Sequence, residues 1–193
     1  MDKLTHDDLY TLEAYEQHRS EFRARVMEHK QHRRLPLGNN VMLLFEDRLT
    51  MHYQVQEMLR AEKTFTAAGI EDELGVYNPL IPDGSNWKAT LMIEYTDPAE
   101  RDVALRQLLG IEEQVWAEVD GVQRVNAIAD EDLERSTEAK TSSVHFLRFE
   151  LSPEAVQALK NGASLRFGIE HAQYECSQEI SEAMRESLLA DLA

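Results

Sequence analysis

The chain has 193 residues, of which 29% are charged, and its formal net charge is −16 at pH 7. A chain of this length can bury a sizeable apolar core in one domain, so its stability needs neither a disulfide framework nor a structural metal. Because phosphate contacts need a basic surface, the acidic balance argues against general binding to nucleic acid.

Cysteine content and hydropathy narrow the class further. Cys176 is the only cysteine, so the chain can form no internal disulfide and hold no thiolate zinc or iron–sulfur cluster. The first ten residues carry no apolar run flanked by basic residues, and no stretch approaches the roughly 18 apolar residues of a membrane span. We therefore expect a cytoplasmic protein with no membrane contact and no nucleic-acid partner.

Helix and strand signals alternate irregularly along the chain. Thr5, with Asp8 three residues later, predicts a helix start near residue 6, and Ser20 predicts the cap of a second helix that Pro36 ends. Helical periodicity, caps and breakers then predict helices over about 49–63, 70–77, 98–109 and 153–161 and after Ser181. Apolar runs and alternation predict strands over 41–45, 89–95, 114–119, 122–128, 144–151 and 165–175.

These elements predict an α+β fold in a single domain, residues 1–193. The strands over 114–119 and 122–128 meet at Asp120–Gly121, which is the signal of a two-residue hairpin turn. Strands and helices alternate too irregularly for a doubly wound parallel sheet, so we expect a mainly antiparallel sheet of about five or six strands with helices packed on one face. Residues 129–143 are rich in charge and poor in apolar side chains, and predict a mobile loop.

Common catalytic and cofactor motifs are absent from the sequence. There is no GxGxxG, GxxxxGK[ST], GxSxG or HExxH, so the usual phosphate cradles, nucleophile elbow and zincin helix are excluded. The sequence therefore predicts no cofactor, and it leaves open whether the chain is an enzyme.

A basic island lies between residues 18 and 34. Residues 1–60 hold nine cationic against ten acidic side chains, whereas residues 61–193 hold eleven against twenty-six. Arginine forks suit carboxylate and phosphate, so a partner-docking face is favoured over a metal site. The interpretation we favour over both is a solvated helix whose cations neutralise the acidic remainder of the same molecule. Neighbouring cations disfavour a metal ion on His29 and His32, and we predict no metal there. The docking residues would be Arg25, His29, Lys30, Arg33 and Arg34.

Glu62 is the main candidate for a polar site. At about 100° per residue it falls inside the apolar stripe of the helix over 49–63. A carboxylate buried there needs a partner such as Arg148 or Arg48, and the result is either a structural ion pair, which we favour, or a perturbed acid in a pocket. His145 and His171 could complete a metal site with Glu62, but histidine on a strand is more often hydrogen-bonded packing. The binding residues would be Arg48, Glu57, Arg60, Glu62, His145 and Arg148.

Four segments carry a resemblance to a known family. They are LFEDRLTMHYQVQEMLRAEK at 44–63, YNPLIP at 77–82, ATLMIE at 89–94 and HFLRFEL at 145–151. Together they resemble a bacterial family catalogued as a domain of unknown function, over nearly the whole chain. The resemblance implies a coherent single domain without an assigned activity. It also implies a redox partner, because members occur beside rubrerythrin-like and heterodisulfide-reductase-like iron–sulfur proteins.

Two functional hypotheses follow. The leading one is a non-catalytic accessory or interaction protein that docks to an iron–sulfur or rubrerythrin-type redox partner through the basic island or the acidic sheet region. The alternative is an enzyme, or a small-ligand or metal-binding protein, with a polar site around Glu62, Arg148 and His145. The sequence leaves a homo-oligomer open.

Overall fold

The computed structural model describes residues 2–122 and 124–193, and this part of the chain forms six α-helices and nine strands. The helices are α1 Leu12–Lys30, α2 Arg48–Glu62, α3 Ala67–Tyr77, α4 Pro98–Gln107, α5 Pro153–Lys160 and α6 Glu182–Leu189. The strands are β1 Arg34–Leu37, β2 Val41–Glu46, β3 Asn86–Ile93, β4 Val115–Val119, β5 Val125–Asn126, β6 Ile128–Ala129, β7 Val144–Glu150, β8 Leu165–His171 and β9 Tyr174–Glu179. None of these helices is long and apolar enough to cross a bilayer.

The strands form two antiparallel sheets, which confirms the α+β class. The first sheet has the order β1-β2-β3-β7-β6, and the second has the order β5-β4-β8-β9. We expected one sheet of five or six strands. The difference arises because β4 and β8 pair with each other and, within the described ranges, with no strand of the first sheet. The apolar run over 165–175 also turns back on itself, so that His171 and Tyr174 pair across a tight hairpin between β8 and β9.

The main core lies between the inner faces of the two sheets. Phe45 of β2 and Phe167 of β8 belong to different sheets, and their ring centroids are 4.9 Å apart. Phe149 of β7 packs on the same Phe167 ring at 5.4 Å. Helices α4, α5 and α6 contribute Leu105, Leu159 and Leu188 to this apolar cluster, and so close its sides.

Helices α1, α2 and α3 form a layer on the outer side of the first sheet. Tyr15 and Phe22 of α1 pack on Tyr53 of α2, and Leu59 of α2 packs with Leu74 of α3. The predicted helix start at Ser20 is wrong, because α1 runs through it without a break and is capped by Thr11 instead.

The short strand β1 was not expected from the sequence. Strand β1 contains Pro36, which pairs opposite Met42 of β2. Proline is tolerated there because β1 is an edge strand, so no neighbouring strand needs the N–H that proline lacks. The predicted hairpin of β4 and β5 is confirmed, but its connection over 120–124 is longer than two residues, and Gln123 lies outside the described residues.

Residues 129–143, predicted to be a mobile loop, begin as a strand and are then irregular. Ala129 belongs to β6 and pairs with Leu147, and no helix or strand follows before β7. Two amides at the ends of the segment are nevertheless bonded: Asp130 N donates to Phe146 O at 2.8 Å, and Thr141 N donates to Leu105 O at 3.0 Å. The mobility of the segment stays a prediction.

Hydrogen exchange measures that mobility residue by residue. We expect fast exchange over 131–140, because most of this stretch is exposed and irregular, and slow exchange at the amides of Asp130 and Thr141. Two-dimensional NMR after transfer into deuterated water reads each amide separately. Uniform protection across the segment would contradict the prediction.

Candidate functional site

Strand β7 presents its side chains alternately to two environments. His145, Leu147 and Phe149 are buried on the inner side, whereas Phe146 and Arg148 are only partly buried on the outer side. His145 and Arg148, which we expected around one polar site, therefore lie on opposite faces of the sheet and do not meet. Each face of β7 contributes to a separate polar arrangement.

The outer face of β7 forms one wall of a cleft of about 640 Å³. The opposite wall consists of Tyr77 at the end of α3 and of Pro79 and Leu80 in the 3₁₀ turn that follows. Two large apolar side chains, Val76 and Leu133, line the same cleft and are 63% and 56% exposed. The volume and the apolar walls are those of a small-molecule site.

Two of the three cations that line this cleft are paired with acidic side chains. Arg148 donates from Nε and Nη2 to the two carboxylate oxygens of Glu131, both at 2.8 Å, and from Nη1 to Glu150 at 2.5 Å. Arg135 donates to Asp132 at 2.5 and 2.6 Å, and its guanidinium lies 4.5 Å from the ring centroid of Phe146. These arginines therefore build the cleft wall and leave little donor capacity for a ligand.

Lys88 is the third cation of the cleft and differs from the other two. It lies on the outer face of β3, opposite Arg148 in the sheet register, and is half-buried. Its ammonium forms no hydrogen bond or ion pair with any residue that the structure describes. Burial lowers the pKa of Lys88, and the negative charge of Glu131 opposes this shift only in part. Lys88 is thus a cation with donors to spare beside an apolar surface.

The inner face of β7 carries a compact polar cluster around His145. The His145 side chain is 0% exposed, and its Nδ1 lies 2.6 Å from Oδ2 of Asp130. On the other side of the ring, Nε2 lies 2.8 Å from the hydroxyl of Thr141 and 3.8 Å from Oε2 of Glu112. Glu112, Asp130 and His145 each bring one donor atom to within 4.8 Å of the other two.

Three separate elements hold this cluster together. Glu112 lies in the 3₁₀ turn Ile111–Gln114 between α4 and β4. Asp130 directly follows β6 and takes a left-handed conformation, with φ at 48°, from which its Oδ1 accepts the Phe146 amide at 3.0 Å. A second cleft, of about 410 Å³, is lined by both acids and by Ser136, whose hydroxyl donates to Glu112 at 2.5 Å. The cluster is buried, but Glu112 and Asp130 lie at the floor of this cleft.

The prediction that Glu62 is buried in the apolar stripe of α2 is wrong. Its side chain is exposed, because α2 ends at Glu62 and Lys63 takes a left-handed conformation, so the helix has already left the core after the buried Leu59. The expected partner Arg48 instead lies 2.5 Å from Asp8.

Glu57 and Arg60 of α2 face α1 rather than either cleft. Glu57 accepts from Tyr15 and, through both oxygens, from Arg19, and this arginine holds the pKa of Glu57 down to about 2. Arg60 pairs with Glu16 at 2.8 Å. These side chains join two helices, and their role as binding residues stays a prediction.

The predicted docking face loses two of its five side chains to the protein itself. Arg33 is 1% exposed, so its assignment to a docking surface is wrong. His29 Nε2 lies 2.5 Å from Oδ2 of Asp47, the residue that caps α2. Both side chains contact acidic groups of the same molecule, as the favoured interpretation of the basic island expected.

Arg25, Lys30 and Arg34 are the docking candidates that stay at or near the surface. Arg25 is exposed, with its guanidinium 4.9 Å from the Phe22 ring centroid, and Arg34 is exposed on the edge strand β1. Lys30 lies 6.0 Å from the ring centroid of Tyr53. Docking of an iron–sulfur or rubrerythrin-type partner to them stays a prediction.

Arg33 is the centre of a buried ion network. Its Nε donates to the carbonyl of Phe45 at 3.0 Å, and its Nη1 donates to the carbonyl of Ser187 at 3.0 Å. Its Nη2 pairs with Asp191 just after α6, and its Nη1 lies 3.5 Å from Oδ2 of Asp47. Arg33 thereby joins β2 and the start of α2 to the C-terminal helix.

Burial dominates the ionisation of two acids in and beside this network. Burial raises the pKa of Asp191 to about 6, although the Arg33 charge acts in the opposite direction. Burial likewise raises the pKa of Glu46, whose Oε1 accepts from Thr90 at 2.7 Å and whose Oε2 has no partner in the described part of the chain. Because both pKa values are raised, each acid ionises less readily in the folded protein than in the unfolded chain.

The raised pKa of Asp191 predicts a pH dependence of stability. Its contribution is fully present below the unfolded-state pKa of about 3.9 and is lost as the pH rises through about 6, so the free energy of unfolding should fall by on the order of 2–3 kcal/mol over that window. Glu46 acts in the same direction, so the quantity to follow is the free energy of unfolding of the wild type minus that of Asp191→Asn. Urea unfolding measures both values at several pH values, and their difference should fall as the pH rises through about 6. A difference that does not change with pH would refute the assignment.

Several residues of these arrangements were missed from the sequence. The alternation of side chains along β3 places Lys88 on the outer face, and its charge is the one sequence feature that could have marked it. Glu112 and Asp130 are two of 36 acidic residues, and nothing in their local sequence marks them. Their convergence on His145 depends on the pairing of β6 with β7, which local periodicity does not predict.

One family model and one solved structure match the chain over nearly its whole length. A family model described as "Protein of unknown function (DUF3501)" matches residues 3–192. The crystal structure of a novel protein of unknown function from Burkholderia pseudomallei K96243 is similar at 50% sequence identity, with a TM-score of 0.95 and complete coverage of both chains. No curated protein matches the chain.

Proposed function

Because the chain belongs to the family of proteins of unknown function DUF3501, we propose its function from its own side chains: it binds a small apolar molecule with a carboxylate group in the cleft beside Lys88. The observation that carries this proposal is the half-buried ammonium of Lys88, which has no partner among the described residues and lies against apolar walls. A ligand carboxylate there would regain the hydrogen bonds and charge compensation that burial removes.

The neighbouring side chains define the ligand further. Phe146, Tyr77 and Leu80 offer an aromatic and aliphatic surface, so the body of the ligand is an aromatic ring or a branched hydrocarbon. Arg135 and Arg148 are already paired with acidic side chains, so a ligand with one carboxylate is favoured over a dianion. The net charge of −16 repels anions at long range, and we therefore expect affinity to depend on the short contact with Lys88 and to rise as salt screens the repulsion.

Matched probes and one substitution test the proposal. Calorimetric titration should show that phenylacetate binds the wild-type protein more tightly than phenylacetamide does, because only the former is an anion for Lys88. Lys88→Met keeps the length of the side chain but removes its charge, and we expect a loss of phenylacetate affinity of about 10- to 100-fold.

The control is Lys160→Met, at the exposed end of α5 and remote from the cleft residues. It should bind phenylacetate as the wild type does. If phenylacetate and phenylacetamide bound alike, or if Lys88→Met and Lys160→Met behaved alike, the proposal would be refuted.

We also propose the cytoplasm as the compartment of the protein. Cys176 is the only cysteine in the sequence, and burial raises the pKa of its thiol, which disfavours the reactive thiolate. A protein without disulfides suits a reducing compartment. Fractionation of the host cell tests this assignment, and recovery outside the cytoplasmic fraction would overturn it.

A further inference from the structure

We propose that the cluster around His145 is a site for one divalent first-row metal ion, bound by His145 Nε2, Glu112, the hydroxyl of Thr141 and the backbone carbonyl of Ser142. Asp130 is the group that orients the imidazole. This site is on the inner side of β7, and none of its four proposed ligands lines the outer cleft, although Arg135 contacts both Asp130 and the outer cleft.

Counting donors and acceptors around the ring leads to this assignment. Asp130 Oδ1 accepts from the amide of Phe146 and pairs with Arg135 at 3.1 Å. With Asp130 as the carboxylate of this ion pair, the Nδ1–H of His145 donates to its Oδ2. A neutral imidazole then has only a lone pair left on Nε2.

Oxygen atoms surround that lone pair. Nε2 lies 2.8 Å from Thr141 Oγ1 and 3.1 Å from the carbonyl oxygen of Ser142, with Glu112 Oε2 beyond at 3.8 Å. Thr141 has a single hydroxyl proton, and Glu112 Oε2 competes for it at 3.0 Å. A carbonyl and a carboxylate have no proton to offer, so this side of the ring calls for a cation: a metal ion or a second ring proton.

The spacing of the four oxygen and nitrogen atoms suits a metal ion. Metal–ligand bonds of about 2.1 Å at right angles separate neighbouring donors by about 3 Å. Three separations match this value: 2.8 Å from Nε2 to Thr141, 3.1 Å from Nε2 to Ser142, and 3.0 Å from Thr141 to Glu112. The fourth, 3.8 Å from Nε2 to Glu112, requires a wider angle between these two ligands. The carboxylate of Asp130 on Nδ1 completes the carboxylate–histidine arrangement that commonly orients a metal-binding imidazole.

Charge and donor type indicate which ions fit. Glu112 and Asp130 are acidic, and the side chain of each is only 10% exposed. Asp130 pairs with Arg135, whereas Glu112 has no arginine or lysine partner among the described residues, so a cation beside Glu112 would offset a buried charge. One imidazole with three oxygen donors suits Mn²⁺, Fe²⁺ or Zn²⁺. Glu112 and Ser136 line the second cleft, which gives an ion a route to the cluster.

Metal titration of matched variants tests the site. The purified protein is stripped with EDTA, dialysed, and titrated with MnCl₂ and ZnCl₂ by calorimetry, with Mn²⁺ also followed by electron paramagnetic resonance. We expect one ion per chain. Glu112→Gln should weaken binding at least tenfold, and Asp130→Asn should weaken it by about 10- to 100-fold through loss of imidazole orientation.

Glu113→Gln is the matched control, because Glu113 is the neighbouring acid in sequence but is exposed. It should bind metal as the wild type does. If Glu112→Gln fails to fold, judged by circular dichroism, Thr141→Val removes one ligand at nearly constant volume and should also weaken binding. Failure of wild type to bind either ion stoichiometrically, or equal losses in Glu113→Gln and Glu112→Gln, would overturn the proposal and leave a second ring proton as the cation on Nε2.

Discussion

Replacing Arg33 with methionine is expected to lower the free energy of unfolding by about 3–5 kcal/mol. The guanidinium is almost fully buried, and its removal leaves Asp191 and Asp47 with less compensation in a region that water does not reach. The carbonyls of Phe45 and Ser187 lose their donors as well. Urea unfolding followed by tryptophan fluorescence measures the change.

Arg34 provides the matched control for Arg33. It is the next residue in the chain but is exposed, and Arg34→Met should change the free energy of unfolding by under about 0.5 kcal/mol. A second variant that adds Asp191→Asn to Arg33→Met removes one orphaned charge and should recover part of the loss. An Arg33→Met protein as stable as Arg34→Met would show that the buried network contributes nothing to folding.

Replacing His145 with leucine is expected to cost a similar 3–5 kcal/mol. The substitution keeps an apolar side chain on the inner face of β7, but it leaves the buried carboxylates of Asp130 and Glu112 without the imidazole between them. The prediction holds whether the cation on Nε2 is a proton or a metal ion. Urea unfolding of the metal-stripped protein measures it.

The control for His145 is His32→Leu, which removes an exposed histidine and should change the free energy of unfolding by under about 0.5 kcal/mol. Adding Asp130→Asn to His145→Leu removes a buried charge that has lost the imidazole and keeps only Arg135 as an ionic partner, and it should restore part of the stability. A His145→Leu variant that unfolds like the wild type would mean that both carboxylates are solvated, and that the cluster is not a closed polar site.

Local sequence patterns predicted the elements well where caps and breakers agree. Asp97 and Pro98 start α4 as expected, and Ser152 and Pro153 start α5. The α+β class followed from the irregular order of these elements. The second sheet did not follow, because strand pairing is a long-range property and a run such as 165–175 reads as one strand until its hairpin is seen.

Burial of charged side chains was the least predictable property. Glu62 was expected to be buried from helical phase alone, but phase says nothing about where a helix leaves the core, and α2 does so after Leu59. Arg33 was expected at the surface because its neighbours are cationic. It is buried instead, because Asp191, 158 residues away in sequence, supplies its counter-charge. His145 and Arg148 were both noted from the sequence, and the strand period places them on separate faces.

The measurement that tests the central claim most directly is two-dimensional NMR of the isotope-labelled protein titrated with phenylacetate. Binding in the cleft predicts saturable shifts confined to Tyr77, Leu80, Phe146 and the side-chain ammonium of Lys88, and these shifts should be lost in Lys88→Met. Shifts confined to another surface, or no saturable shift at millimolar phenylacetate, would contradict the assignment of this cleft as a carboxylate site.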